Sequence, residues 1–266
     1  NGKPRTVPEL ILGDIGNINM NGIDPQNRLY FTSHDEQSNL YLCHFNDRMG
    51  IFNQYPIGKF NMMDFSWSRD GKKIAYVSSL THTQKGSYSS HERPLNYLGI
   101  YSPDDKSETI QTIQSLRLLG NFSPDNKSII AMFTHDFYNL HSMNLSTKES
   151  VPILANALIN NVIYSGDGKS LYYMEQEIVA PNTSGCTRIK QKDIQANSIT
   201  EIYQAPPKSY LENLAISPDG KWLDFCCGEY PSVQIMCIPA AGGEPIVVHN
   251  YRQDESLIKL AGWLPD

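Results

Sequence analysis

Histidine and carboxylate side chains gather in five short stretches of this chain: Ser33-His34-Asp35-Glu36, Thr81-His82-Thr83, Thr134-His135-Asp136, Glu175-Gln176-Glu177 and Gly228-Glu229-Tyr230. Imidazole nitrogens and carboxylate oxygens bind divalent cations, and the same groups act as general acids and bases. His34, His82, His135 and Asp136 would be the ligands of such a metal or the members of a catalytic site. Two other readings compete with that one. The stretches could form a solvated polar rim. They could instead bind a protein or peptide through His34, Asp35, Glu36, His82, His135, Asp136, Glu175, Glu177, Glu229 and Tyr230. Residue types leave all three open, because nothing in the sequence fixes the distances between stretches.

Motifs that would name a reaction are missing. No G-x-S-x-G segment supplies a nucleophile elbow, and no H-E-x-x-H pair supplies a zinc-protease site. Neither a Walker loop nor G-x-G-x-x-G occurs, so no nucleotide cofactor is expected; a channel metal such as calcium stays open. Cys43, Cys186, Cys226, Cys227 and Cys237 are odd in number and show no C-x-x-C spacing. Cys43, Cys227 and Cys237 fall in apolar runs and read as small core side chains. Of the N-x-S/T triplets, the one at Asn126 sits in a tight turn and carries little weight as a glycosylation signal.

The elements that must position these stretches come from a repeat. An apolar residue, Ser, Pro, Asp, Gly or Asn, and Lys recur, followed by apolar residues at period two. The copies are Trp67-Ser68-Arg69-Asp70-Gly71-Lys72, Phe122-Ser123-Pro124-Asp125-Asn126-Lys127, Tyr164-Ser165-Gly166-Asp167-Gly168-Lys169 and Ile216-Ser217-Pro218-Asp219-Gly220-Lys221. A decayed copy is Ile23-Asp24-Pro25-Gln26-Asn27-Arg28, and the chain stops inside a sixth, Trp263-Leu264-Pro265-Asp266. Equivalent positions are 44, 55, 42, 52 and 47 residues apart, the spacing of a four-stranded blade. Proline presets one corner, the Asp side chain caps the turn, and Gly or Asn accepts a positive φ. Trp67 reads as a core ring. Tyr101-Ser102-Pro103-Asp104 mimics the motif too close to Asp125 and reads as a third-to-fourth strand turn.

The chain has 266 residues and a formal net charge of −6. That acidity argues against nucleic acid, which requires clustered Lys and Arg. No apolar stretch suits a membrane span in this segment. Two insertions, Thr81 to Pro94 and Ile178 to Thr187, lengthen loops; in the first, Tyr88, His91 and Arg93 offer contact.

These motifs resemble the TolB-type propeller repeat, a WD-like family with the hallmark W/F-S-P-D-G-K. The resemblance runs from about Asn17 to Asp266. It implies an all-β, six-bladed propeller of four-stranded antiparallel blades, with inner strands lining a central channel. The blades are approximately 17–57, 62–113, 116–154, 158–204 and 211–249, with an incomplete sixth from 257–266 and 8–13. Stopping inside the sixth motif reads as a fragment. The fold alone does not give function. The resemblance implies a non-catalytic interaction or sensor domain with a protein or peptide partner on one face. Its setting would be periplasmic or otherwise extracytoplasmic. It would be a TolB-like binding module, or the sensor part of a membrane-anchored winged-helix transcriptional regulator. The alternative is the propeller of a larger enzyme, either a prolyl-oligopeptidase-like peptidase or a metal-dependent polysaccharide lyase.

Overall fold

The computed structural model describes residues 17–23, 28–34, 39–44, 54–57, 61–68, 70–79, 95–114, 116–133, 139–155, 158–176, 187–217 and 219–252. Every regular element among them is a strand. The first sheet contains β1 (Asn17–Ile23), β2 (Arg28–His34), β3 (Asn39–His44) and β4 (Gln54–Ile57). The second contains β5 (Asn61–Trp67), β6 (Ile74–Ser79), β7 (Leu95–Ser102) and β8 (Ser107–Gln114). The third contains β9 (Leu116–Phe122), β10 (Ser128–Phe133), β11 (Leu140–Asn144) and β12 (Ser150–Leu154). The fourth contains β13 (Leu158–Tyr164), β14 (Ser170–Gln176), β15 (Arg188–Asp193) and β16 (Ile199–Gln204). The fifth contains β17 (Tyr210–Ile216), β18 (Trp222–Glu229), β19 (Ser232–Pro239) and β20 (Ile246–Arg252). Each sheet is an antiparallel meander in chain order. The residues assigned above to a sixth blade lie outside the described ones.

Successive sheets are arranged radially. The inner strand β5 neighbours β9, β9 neighbours β13, and β13 neighbours β17. Between sheets lie separate cores. Ala75, Val77 and Leu98 of the second sheet pack on Ile129, Ala131 and Phe133 of the third. Ile130 and Met132 of the third pack on Leu171 and Tyr173 of the fourth. Tyr172 and Met174 of the fourth pack on Leu223, Phe225 and Cys227 of the fifth. Alternate side chains of one strand therefore enter two different cores. This explains why β10 and β14 read as almost unbroken apolar runs: each strand is buried on both faces.

The recurrent motif closes the turn between first and second strands with one repeated bonding pattern. The hydroxyls of Ser68, Ser123, Ser165 and Ser217 donate to Oδ1 of Asp70, Asp125, Asp167 and Asp219 at 2.6–2.7 Å. The amides of Lys72, Lys127, Lys169 and Lys221 donate to the same oxygens at 3.0–3.1 Å. The amides of Lys73, Ser128, Ser170 and Trp222 donate to the serine Oγ at 2.8–3.0 Å. Gly71, Asn126, Gly168 and Gly220 take φ between 56° and 73°, the left-handed region that glycine and asparagine enter most readily. The turns also meet across sheets. A Cβ at Gly168 would stand 2.8 Å from Pro124 Cγ of the preceding sheet.

Tyr101-Ser102-Pro103-Asp104 does end a third strand. β7 stops at Ser102, β8 starts at Ser107, and Lys106 carries the positive φ of 55°. Trp67 departs from expectation. Its side chain is half-buried, and the largest fully buried rings are Tyr76, Tyr173 and Phe225. It ends the inner strand beside the turn, whereas those rings sit on second strands between sheets.

Candidate functional site

Meander topology sorts the loops. The Ser-Asp turns join first to second strands and stand on one face of the disc. The second-to-third connections and the links between sheets stand on the opposite face. That second face is the one on which the sequence places its His and carboxylate stretches. His34 ends β2, opposite Asn17. Asp35, Glu36, His82, His135, Asp136 and Glu177 lie outside the described residues. Glu175, near the end of β14, forms an ion pair with Lys190 of β15. Its carboxylate is thereby used inside the fourth sheet. Among the described residues no group of three or more His, Cys, Asp or Glu could hold a metal ion.

Glu229 and Tyr230 come together in a groove. They form the turn from β18 to β19, and both are exposed, Tyr230 with 65% of its surface. The groove encloses about 790 Å³. One wall is the end of the fourth sheet, with Tyr203 and Pro206; the other is Tyr230, Pro231, Met236 and Arg252 of the fifth. Tyr203, Pro206, Tyr230, Pro231 and Arg252 sit where outer or second strands end, which is why they share one face, and Met236 lies inside β19. Gly228 keeps the hairpin tight: a Cβ there would stand 2.3 Å from the Ser232 carbonyl oxygen.

The groove is lined by aromatic, apolar and amide side chains. Tyr203 and Tyr230 supply ring faces, and Pro206 and Pro231 supply stiff apolar walls. The Gln234 side-chain amide donates to Asn250 Oδ1 at 2.9 Å. That bond leaves the Asn250 NH₂ and the Gln234 carbonyl with hydrogen-bonding capacity of their own. At the floor, the Tyr203 hydroxyl lies 3.8 Å from Cys227 Sγ. Burial pushes the Cys227 thiol up, outweighing the Tyr203 contact. The thiol is therefore protonated at neutral pH and is a poor nucleophile. Burial likewise pushes the Tyr203 phenol up, reinforced by Cys227.

Glu229 and Tyr230 were legible from the second-to-third loop of the repeat. Tyr203, Pro206, Met236, Asn250 and Arg252 were not. For Tyr203, Pro206, Asn250 and Arg252 the signal is positional, since each lies near the last residue of an outer strand, whereas Met236 lies inside β19. That becomes visible only when strand directions are assigned.

No protein-family model and no curated protein matches the chain. Solved structures do. TolB from Acinetobacter baumannii is 14% identical with a TM-score of 0.62, covering 87% of this chain and 54% of that one. A TolB-type protein from Agrobacterium tumefaciens is also 14% identical with a TM-score of 0.68, covering 92% and 84%. An oligogalacturonate lyase in complex with manganese is 14% identical with a TM-score of 0.55, covering 87% and 65%. The chain thus spans about half the length of the Acinetobacter protein. The structural likeness shows a shared β-propeller fold, and at this identity the fold alone. Among the described residues no helix is long and apolar enough to cross a membrane.

Proposed function

We propose that this chain is a non-catalytic interaction propeller that binds a protein or peptide on the face bearing the second-to-third strand turns. The observation that carries the reading is the groove between the fourth and fifth sheets, where exposed Tyr230 and Glu229 stand beside Tyr203, Pro206 and Met236. Aromatic rings at an open groove supply apolar area at low entropic cost. The resemblance to TolB-type repeats supports an extracytoplasmic setting, as a binding module or as the sensor part of a larger regulator. Its partner chemistry is protein, not nucleic acid, in keeping with the net charge of −6.

A photo-crosslinking residue at Tyr230 tests the face. The expected result is a discrete crosslinked species in the source cells from position 230. The same probe at Asp167, on the opposite face, should give none. Equal capture at both positions, or none at either, overturns the assignment. A second reading, a metal-dependent lyase, draws on the manganese-bound neighbour. Elemental analysis of the purified chain separates the two: near-stoichiometric manganese, zinc or calcium would favour the lyase.

A further inference from the structure

The outer strands β4, β8, β12, β16 and β20 each leave one edge without a paired strand among the described residues. An open edge carries unpaired N–H and C=O groups, and chains normally blunt it with proline, charge or brevity. Four of the five are blunted in that way. β4 has four residues and holds Pro56, and β12 holds Pro152. β16 carries Glu201, which pairs with Arg188. β8 carries Glu108 among Ser, Thr and Gln side chains. β20 spans seven residues, with no proline and no Asp, Glu, Lys or Arg before its last residue. It opens with three β-branched aliphatic residues, Ile246, Val247 and Val248, exposed by 54%, 44% and 59%. Such residues favour strand pairing and gain when a second strand lies beside them. The one irregularity is a bulge at Val248, the residue with no partner on β19, which bends the edge without capping its donors.

Charge at the two ends says what pairs here. Exposed Glu244 stands just before the strand, and exposed Arg252 ends it. An antiparallel neighbour of the same sequence runs the other way, so its basic end comes beside Glu244 and its acidic end beside Arg252. A parallel copy would set like charges together, which opposes pairing. Arg252 already has an interaction within the chain, and a guanidinium with its five N–H donors can take a second acceptor. Val248 lies midway between the two charges in sequence, so a two-fold axis relating the copies passes near it. A further layer packed on either face of the fifth sheet would leave this in-plane edge open.

We infer that β20 joins two copies of this chain edge to edge, antiparallel about a two-fold axis near Val248, with Glu244 and Arg252 pairing across it. This does not rest on the interaction reading above. One strand pair buries less than the roughly 1,200–2,000 Å² of a stable interface, so the dimer forms at micromolar concentrations and above.

Sedimentation velocity of the full chain from about 1 to 300 µM tests this. The expected result is a monomer–dimer equilibrium that shifts with concentration. Val248→Lys should leave monomer throughout, since a lysine on an edge opposes pairing. Glu244→Arg and Arg252→Glu should each raise the dissociation constant about tenfold, because each change acts twice across the axis. The double variant Glu244→Arg/Arg252→Glu should return to within about threefold of the parent chain. All three side chains are exposed, so the variants keep the fold, and an unchanged urea midpoint verifies it. A chain that stays monomeric over the whole range overturns the proposal and leaves the edge to a strand of a different protein or of this chain. A dimer that Val248→Lys leaves intact overturns it also, because the contact then lies elsewhere. A double variant that binds no tighter than the single ones overturns the antiparallel arrangement.

Discussion

The serine hydroxyl of each repeated turn makes two bonds at once: it donates to the aspartate and accepts the amide five residues on, and so fixes where the second strand starts. The aspartates pay for this in their titration. Ser217, then the amide and ammonium of Lys221, hold the Asp219 carboxyl down at about 2. Asp125 is lowered by Ser123 and Lys127, and Asp167 by Lys169 and Ser165. At Asp70 partial burial pulls upward, but Ser68 and Lys72 together outweigh it. A carboxyl lowered on folding binds fewer protons in the native state than in the unfolded chain. Its stabilisation is present above the ordinary carboxylate range, near pH 3.9, and is lost as pH falls toward the native value. The denaturant midpoint is expected to be flat from about pH 7 to 5 and to fall below about pH 4. Ser217→Ala should flatten part of that limb and lower stability at neutral pH by roughly 1–3 kcal/mol, since the Trp222 amide loses its acceptor. An unchanged acid limb would show that the hydroxyl does not set the Asp219 titration. Gly99 is a second constraint of this size. The Tyr76 ring lies over it, 1.9 Å from where a Cβ would stand, with its hydroxyl 2.6 Å from Glu108 Oε1. Gly99→Ala should cost roughly 1–3 kcal/mol, and it should cost little in a Tyr76→Ala background, because the obstructing ring is gone.

Strands show where sequence reading succeeds and where it stops. The turn residues were legible because each has a local reason: Asp caps, Gly or Asn turns left-handed, and an apolar run follows. The placement of Trp67 was not. A tryptophan beside the turn looks like a core anchor, yet the buried rings are those of Tyr76, Tyr173 and Phe225. The reason is that second strands carry both cores, one on each face, while Trp67 ends its inner strand beside the turn. This division is measurable. Phe225→Ala should destabilise by roughly 3–5 kcal/mol, and Trp67→Ala by well under half of that, because less of the indole leaves water on folding. Equal losses in urea unfolding would mean that the inner strand bears as much of the packing as the second strand. The groove was half legible for a similar reason. Glu229 and Tyr230 follow from the repeat, but Tyr203 and Asn250 belong to outer strands, whose sequences carry no motif.

A radial arrangement makes every sheet depend on its neighbours, and the fifth sheet exposes the consequence. On its face toward the fourth sheet stand Leu223, Phe225 and Cys227. On the other face Cys226, Val233 and Tyr251 form a small cluster, with Ile235 packed against it. Burial is the first cause of the raised Cys226 thiol, and the Asn213 and Tyr251 contacts do not reverse it. The cluster has no sheet beyond it among the described residues, yet Cys226 keeps only 2% of its surface. Sequence assigns the next inner strand to 257–263, before the sixth turn motif. We propose that this segment adds the next layer over Val233, Ile235 and Tyr251. Deleting residues 257–266 is then expected to loosen this face first. Labelling of Cys226 by a thiol reagent should accelerate by about tenfold or more, as local opening becomes easier. Cys227, on the face turned to the fourth sheet, should keep its slow rate as an internal reference. The two thiols are adjacent in sequence and point to opposite cores, so their ratio reports which interface has opened. If both accelerate together, the fifth sheet unfolds as one unit and the proposed layer is not a separate cover. If neither changes, the segment packs elsewhere.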